Sequence, residues 1–312
     1  MTAQRTLLAD GRLHLNHGPI DLIIEAFGQV SEVALAYDQA WARFPSVLPE
    51  LTAELKTLRQ PVGTEMPKLD GAIARRMAEA VWPYRAQYMT PMAAVAGAVA
   101  EAMLAALIAG RRLRKAYVNN GGDIALHLSA GETFRAGIVS DLAAPAIDGR
   151  AIVEAKSTVR GIATSGRGGR SFSLGIADAV TVLAATAAKA DAAATVIANA
   201  VNIEDEQIQR VPARSIDPDS DLGDMPVTVA VGDLAIDAVR HALDAGALLA
   251  ERLTQDGLIN AAVLQLRGER RVVTSDENRY PQISFHRGRH LPRGRPQIRA
   301  RAQARGSAGG HP

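Results

Sequence analysis

Apolar and polar residues alternate in "GRLHLNHGPIDLIIEAFG" (residues 11–28), with "HGP" interrupting the pattern. Such alternation predicts two strands joined by a turn. The period then lengthens. In "SEVALAYDQAWARF" (31–44), "LPELTAELKTLR" (48–59) and "LDGAIARRMAEAVWPY" (69–84), apolar residues recur three and four apart, predicting three helices. "MTP" leads into a fourth, the alanine-rich "MAAVAGAVAEAMLAALIAG" (92–110). Period two returns in "KAYVNNGGDIALHLSAGETFRAGIVSD" (115–141), read as strand, glycine turn, strand, "AGE" turn, strand. Further strands are predicted in "AIVEAKSTV" (151–159), "SFSLGI" (171–176) and "AVTVLAA" (179–185), and a helix in "ADAAATVIANAV" (190–201). "RVPARSIDPDSDLGDMP" (210–226) reads as a proline- and aspartate-rich loop. A long helix over 231–255 and a strand pair within 259–274 complete the pattern. Helices mixed with consecutive strands indicate an α+β fold.

Aromatics make up only 4% of the 312 residues while alanine abounds, so the core is expected to be built from small and branched aliphatics. Cysteine is absent, which removes disulfides, thiolate metal sites and cysteine nucleophiles. The opening residues show no basic start followed by an apolar run, and Glu101 interrupts the apolar stretch 92–110. A buried helix and a cytoplasmic protein without membrane contact are therefore expected.

Net charge is +2, yet seven arginines and no acid lie between Arg287 and Pro312, so residues 1–286 carry −5. The expected organisation is one domain over 1–286 and a basic, disordered tail over 287–312, since the tail has little to bury against its ordering entropy. Truncation after His286 is accordingly expected to leave the thermal melting temperature unchanged. A large drop in that temperature would place the tail in the folded body.

Three stretches could carry chemistry. "NNGGD" (119–123) is a hairpin turn or a backbone cradle for phosphate, because paired glycines allow close approach. "IATSGRGGR" (162–170) combines Thr164, Ser165, three glycines and two arginines; it suits an anion, or is simply a surface loop. It lacks the Lys-Ser/Thr of a nucleotide-binding P-loop. In "ADAAAT", Asp191 and Thr195 stand one helical turn apart. They could offer oxygen ligands to Mg²⁺, or Asp191 could be a helix cap or first-turn acid. His14 and His17, three apart on a strand, fall on opposite faces and form no metal pair.

Taken in order, these motifs resemble the ApbE flavin-transferase superfamily and, more closely, its UPF0280 group. The likeness covers most of residues 6–270, through "DGRLHLNHGPIDL", "TPMAAVAGAVAE", "YVNNGGDIALHL", "TSGRGGRSFSLGIADAVTVLA" and "ADAAATVIANAV". It implies an ApbE-like fold related to the T-fold class, a mixed sheet with packed helices. It also implies Mg²⁺ held by Asp191, Thr195 and the backbone carbonyl of Ala93. FAD, FMN or a related pterin or purine nucleotide would lie against Thr90, Gly97, Asn120, Gly121, Gly122, Asp123, Thr164, Ser165 and Gly166. Two departures stand out. Ala96-Gly97 replaces the Lys-Gly step of the transferases, and Ser173 and Leu174 fall where their histidine motif would be. Three functions remain open on this reading: a flavin transferase or pyrophosphatase, a non-catalytic cofactor binder, and a binder of acidic partners through the tail. Nucleic acid is not an expected partner, because no aromatics interleave the tail's arginines. The oligomeric state is left open, a homodimer included.

Overall fold

The structure, a computed structural model, describes residues 2–139, 147–169, 171–275 and 282–285. Arg170 and the basic stretch 287–312 lie outside them. Strand β1 (Gln4–Leu7) is followed by β2 (Leu13–His17) and β3 (Ile20–Gly28), paired around a turn where Gly18 has a φ of 60°. The alternation read from the sequence is the alternation of burial: Leu13, Leu15, Leu22 and Ile24 are fully buried, with the intervening residues half-exposed. His14 and His17 do face opposite ways. His14 bonds Asp21 across the hairpin, whereas His17 is buried edge-on against Phe44.

The two helices expected over 31–59 are one. Helix α1 (Val30–Ala53) runs through both Pro45 and Pro49, and only the single turn α2 (Leu55–Leu58) follows it. A proline inside a helix leaves the carbonyl four residues back without its partner. Both prolines lie on the exposed face, where water reaches those carbonyls, and the buried stripe Tyr37, Ala40, Phe44, Val47, Leu51 continues past them. Helix α3 (Ala72–Val81) leads to a 3₁₀ turn, Pro91–Ala94, and then to α4 (Val95–Ile108). The segment Pro91–Ile108 is apolar and long enough to cross a membrane, but α4 buries Ala98, Val99, Met103, Leu104 and Leu107 inside the protein.

Strands β4 (Leu113–Asn120), β5 (Asp123–Leu128), β6 (Thr133–Val139), β7 (Ile147–Glu154), β8 (Gly161–Ser165) and β9 (Ala179–Ala184) follow. Then come α5 (Ala187–Ala200), β10 (Ile208–Pro212), β11 (Pro226–Val231), α6 (Ile236–Gln255), β12 (Ala261–Leu266), β13 (Glu269–Thr274) and β14 (Gln282–Phe285). Nine strands form one sheet in the order β1-β2-β3-β4-β5-β8-β9-β12-β13, and β14-β7-β6 form a second. Every pairing among the described residues is antiparallel. The helices cover one face of the large sheet, meeting Leu15, Val118, Ala163, Val182 and Leu264. The three-stranded sheet packs on the other face, enclosing Tyr117, Ile124, Leu126, Phe134, Val153 and Val263. Strands β9 and β12 are buried along their whole length because both layers cover them.

The "SFSLGI" strand is not formed. Residues 171–178 instead wrap the end of α5: Leu174 N donates to Asn199 Oδ1 at 3.0 Å and Ile176 N to Val201 O at 2.9 Å. Side-chain and helix-end acceptors thus take the donors a ladder would have used. The aspartate-rich loop is also more ordered than its composition suggests. Its ends are β10 and β11, a separate two-stranded ribbon with a bulge at Gln209/Arg210.

Candidate functional site

The "NNGGD" turn is a two-residue hairpin between β4 and β5, with Gly121 at φ 66° and Gly122 at φ 121°. Only glycine takes such values at both positions without strain. The amide of Gly122 is used within the turn, donating to Asn119 Oδ1 at 2.8 Å. Alternation along β4 turns Asn120 to the helical side, where its Nδ2 donates to Ala96 O at 3.2 Å. Asp123, on the same side at the other end of the turn, accepts from Thr164 N at 3.3 Å. The turn therefore ties α4 and β8 to one point.

Helix α5 packs beside α4 and over β8 and β9, and reaches the same point. Its cap is Thr186, whose hydroxyl accepts from Lys189 N at 3.3 Å, so Asp191 is neither N-cap nor first-turn acid. Asp191 sits in the second turn and reaches out of its own helix. Its Oδ2 accepts from Gly97 N at 3.0 Å, a donor in the first turn of α4 that has no partner within that helix. Asp191 is a cap after all, but of the neighbouring helix. Burial first, and the negative charge of Asp123 second, push its carboxyl well above the usual carboxylate range, against the amides of Gly97 and Ala96. Among the described residues, none of the groups acting on Asp191 is basic.

The carboxylates of Asp123 and Asp191, with the turn, the start of α4 and the end of β8, thus converge. Thr195 stands one turn beyond Asp191 on the same partly exposed face of α5. Ala93 lies in the 3₁₀ turn that leads into α4, its amide donating to Thr90 O at 3.1 Å. Thr90 precedes that turn, and its buried hydroxyl donates to the Asp221 carboxylate of the aspartate-rich loop. Ser165 pairs with Val180 at the end of β8, and Gly166 follows at φ 146°, close against Asp178 O. Arg167, expected to meet an anion, is held by Asp178 at 2.7 Å. Sequence reading did not find Glu101 as a site residue; its Oε1 accepts from Ala188 N at 2.7 Å.

On the opposite face of the sheet, the hydroxyls of Thr164 and Thr181 lie 3.0 Å apart beside a cleft bounded by Ile124, Gly137 and Ile162. Its volume of about 20 Å³ admits water but no heterocycle. Among the described residues no cluster of three or more His, Asp or Glu is placed to hold a metal ion. A cation bound at Asp191 would therefore rest on carboxylates plus neutral oxygens.

A family model described as "AbpE bacteria" matches residues 5–272. The chain belongs to that family. This AbpE bacteria chain is 36% identical over 177 residues to a UPF0280 protein of Methanopyrus kandleri, covering 55% of this chain and 67% of that one. It is 40% identical over 125 residues to a UPF0280 protein of Methanothermobacter thermautotrophicus, covering 37% and 44%. Among solved structures, the ApbE protein of Thermotoga maritima aligns with a TM-score of 0.43 at 11% identity, over 88% of this chain and 97% of that one. The apo flavinyl transferase ApbE of Pseudomonas stutzeri aligns with a TM-score of 0.41 at 13% identity, over 88% and 94%. The resemblance to the UPF0280 group read from the motifs agrees with these findings.

Proposed function

We propose that this chain binds a flavin, FAD or FMN, or a related phosphorylated heterocycle, together with Mg²⁺. The observation that carries the reading is the convergence of Asp123 and Asp191, two neighbouring carboxylates, with no basic group among the described residues acting on Asp191. A partly buried like-charge pair is costly, and a hard divalent cation with oxygen ligands relieves it. The donor set suits that ion: the Asp191 carboxylate, the Thr195 hydroxyl and the Ala93 carbonyl would hold it. Such an ion supplies charge stabilisation at phosphate oxygens. Asn120, Gly121, Gly122 and Asp123 would meet the ligand from the hairpin, Thr164, Ser165 and Gly166 from the end of β8, and Thr90 and Gly97 from the approach to α4.

A second reading, binding without turnover, is favoured by what stands in place of the transferase groups. Ala96 offers no proton-bearing side chain in the first turn of α4. Ser173 is buried, with its hydroxyl accepting from Gly175 N at 3.2 Å, and that arrangement packs the segment rather than presenting it to a substrate. Incubating the purified chain with FAD and Mg²⁺ and separating the nucleotides tests both. Release of FMN or AMP supports the enzymatic form, and FAD retained intact only when Mg²⁺ is present supports binding alone. FAD that neither binds nor reacts would overturn the proposal.

A further inference from the structure

The contacts between α4 and α5 run in both directions. Asp191 of α5 accepts from Gly97 N in the first turn of α4, while Glu101 of α4 accepts from Ala188 N in the first turn of α5. Each helix thus supplies the acid that the other lacks at its positive end: neither has an acidic residue in its own first turn. Glu101 is also fixed from a third helix, its Oε2 lying 3.0 Å from Arg76 Nε of α3. Backbone contact reinforces the arrangement, because Gly97 presses so closely on Ala187 that a Cβ there would lie 2.3 Å from its carbonyl oxygen.

We propose that Glu101, held by Arg76, is a positioning residue that sets where the Asp191 carboxylate stands against the amide of Gly97 and against Asp123. Ala188 and Asp191 are three residues apart on one helix, so a bond fixing the amide of the first also fixes the reach of the second. Acceptor strength at Glu101 Oε1 sets how firmly α5 is seated, and the ion pair with Arg76 keeps that oxygen aimed. The inference deepens the reading of Asp191 as a cation ligand, and its metal arm rests on that reading. Its amide-exchange arm does not.

The test uses the full chain, Mn²⁺ alone as a spectroscopic probe, and residue-resolved amide hydrogen exchange. Glu101→Ala is expected to weaken Mn²⁺ binding at least tenfold and to accelerate exchange at both Ala188 and Gly97. Glu101→Gln keeps an oxygen acceptor for Ala188 but sets an amide donor against Arg76 Nε, so it is expected to recover Mn²⁺ binding in part, to a level between Glu101→Ala and the parent. Arg76→Met, which loses the ion pair and keeps the Ala188 acceptor, is expected at a similar level. Rescue by Gln in a protein with unchanged core exchange separates positioning from general destabilisation. Mn²⁺ binding by Glu101→Ala equal to that of the parent, or Gly97 exchange that does not respond, overturns the proposal. If the parent itself binds no Mn²⁺, the cation reading of the site fails, and the response of Gly97 alone upholds or overturns the positioning role.

Discussion

Asp191→Asn is expected to weaken Mg²⁺-dependent FAD binding by roughly tenfold or more, since it removes the charged oxygen ligand of a hard cation. The same change is expected to hold or raise the melting temperature. Asparagine keeps an oxygen for the Gly97 amide and ranks with aspartate as a helix cap. It also removes a carboxylate whose ionised form is disfavoured by burial and by Asp123. The sign of the pH effect follows from that shift. A carboxyl whose folded-state pKa lies above its unfolded value of 3.8 binds protons more tightly in the folded chain. The parent therefore gains stability as pH falls from above the raised folded value towards 3.8, and the Asn variant lacks that increment. Calorimetric titration of FAD with and without Mg²⁺, and melting curves across that range, check both halves. Equal metal-dependent binding by the two proteins would reduce Asp191 to a cap for α4.

A large loss of stability is expected at two glycines, one within a helix and one within a strand. A Cβ on Gly97 would lie 2.3 Å from Ala187 O and 2.7 Å from Ala188 N, and one on Gly161 would lie 2.2 Å from Thr186 O. All three are backbone atoms, so no side-chain rotation relieves the overlap. Gly97 in α4 and Gly161 in β8 grip the first turn of α5 between them. Gly97→Ala and Gly161→Ala are each expected to cost about 3 kcal/mol or more, as overpacking at a rigid contact does. Gly63→Ala is the control, because nothing lies within 4 Å of the position its methyl group would take. Denaturant unfolding of the three variants provides the comparison, and a Gly97→Ala protein as stable as Gly63→Ala would show that the helices are not in backbone contact.

Local features were legible in the sequence where the physics is local. The β2–β3 hairpin, the glycine turn and the helical stripes of α3, α5 and α6 follow from spacing within a few residues, and the structure forms them there. Prediction faltered where the deciding partner is remote. The stretch 31–59 read as two helices, yet α1 runs on through Pro45 and Pro49 because its packing leaves both prolines on the exposed face. "SFSLGI" has strand-like residues, yet Asn199 and Val201 took its donors. β1, β8 and the β10–β11 ribbon are short and owe their pairing to neighbours outside their own segments. Within the candidate site, spacing singled out Asp191 and Thr195 as a pair, and the resemblance to the flavin transferases implied their metal role. The partner that gives Asp191 its cap role lies 94 residues away, and the one that fixes Ala188 lies 87 away, separations at which periodicity is silent.

The strand order of the large sheet bears on how the chain assembles during synthesis. From β1 to β13 the order across the sheet never reverses the order along the chain, although helices and the second sheet intervene. Each strand leaving the ribosome therefore finds its neighbour already made, and the sheet can grow at one edge only. That growing edge is the surface most exposed to wrong pairing, and the next segment of the same nascent chain is what covers it. The first turn of α4 is translated long before Asp191, so its free amides wait through the making of every strand from β4 to β9 before α5 closes over them. On the proposed reading of the site, ligand capacity thus arises late in translation, when α5 seats, and before β12 and β13 have been added to the large sheet.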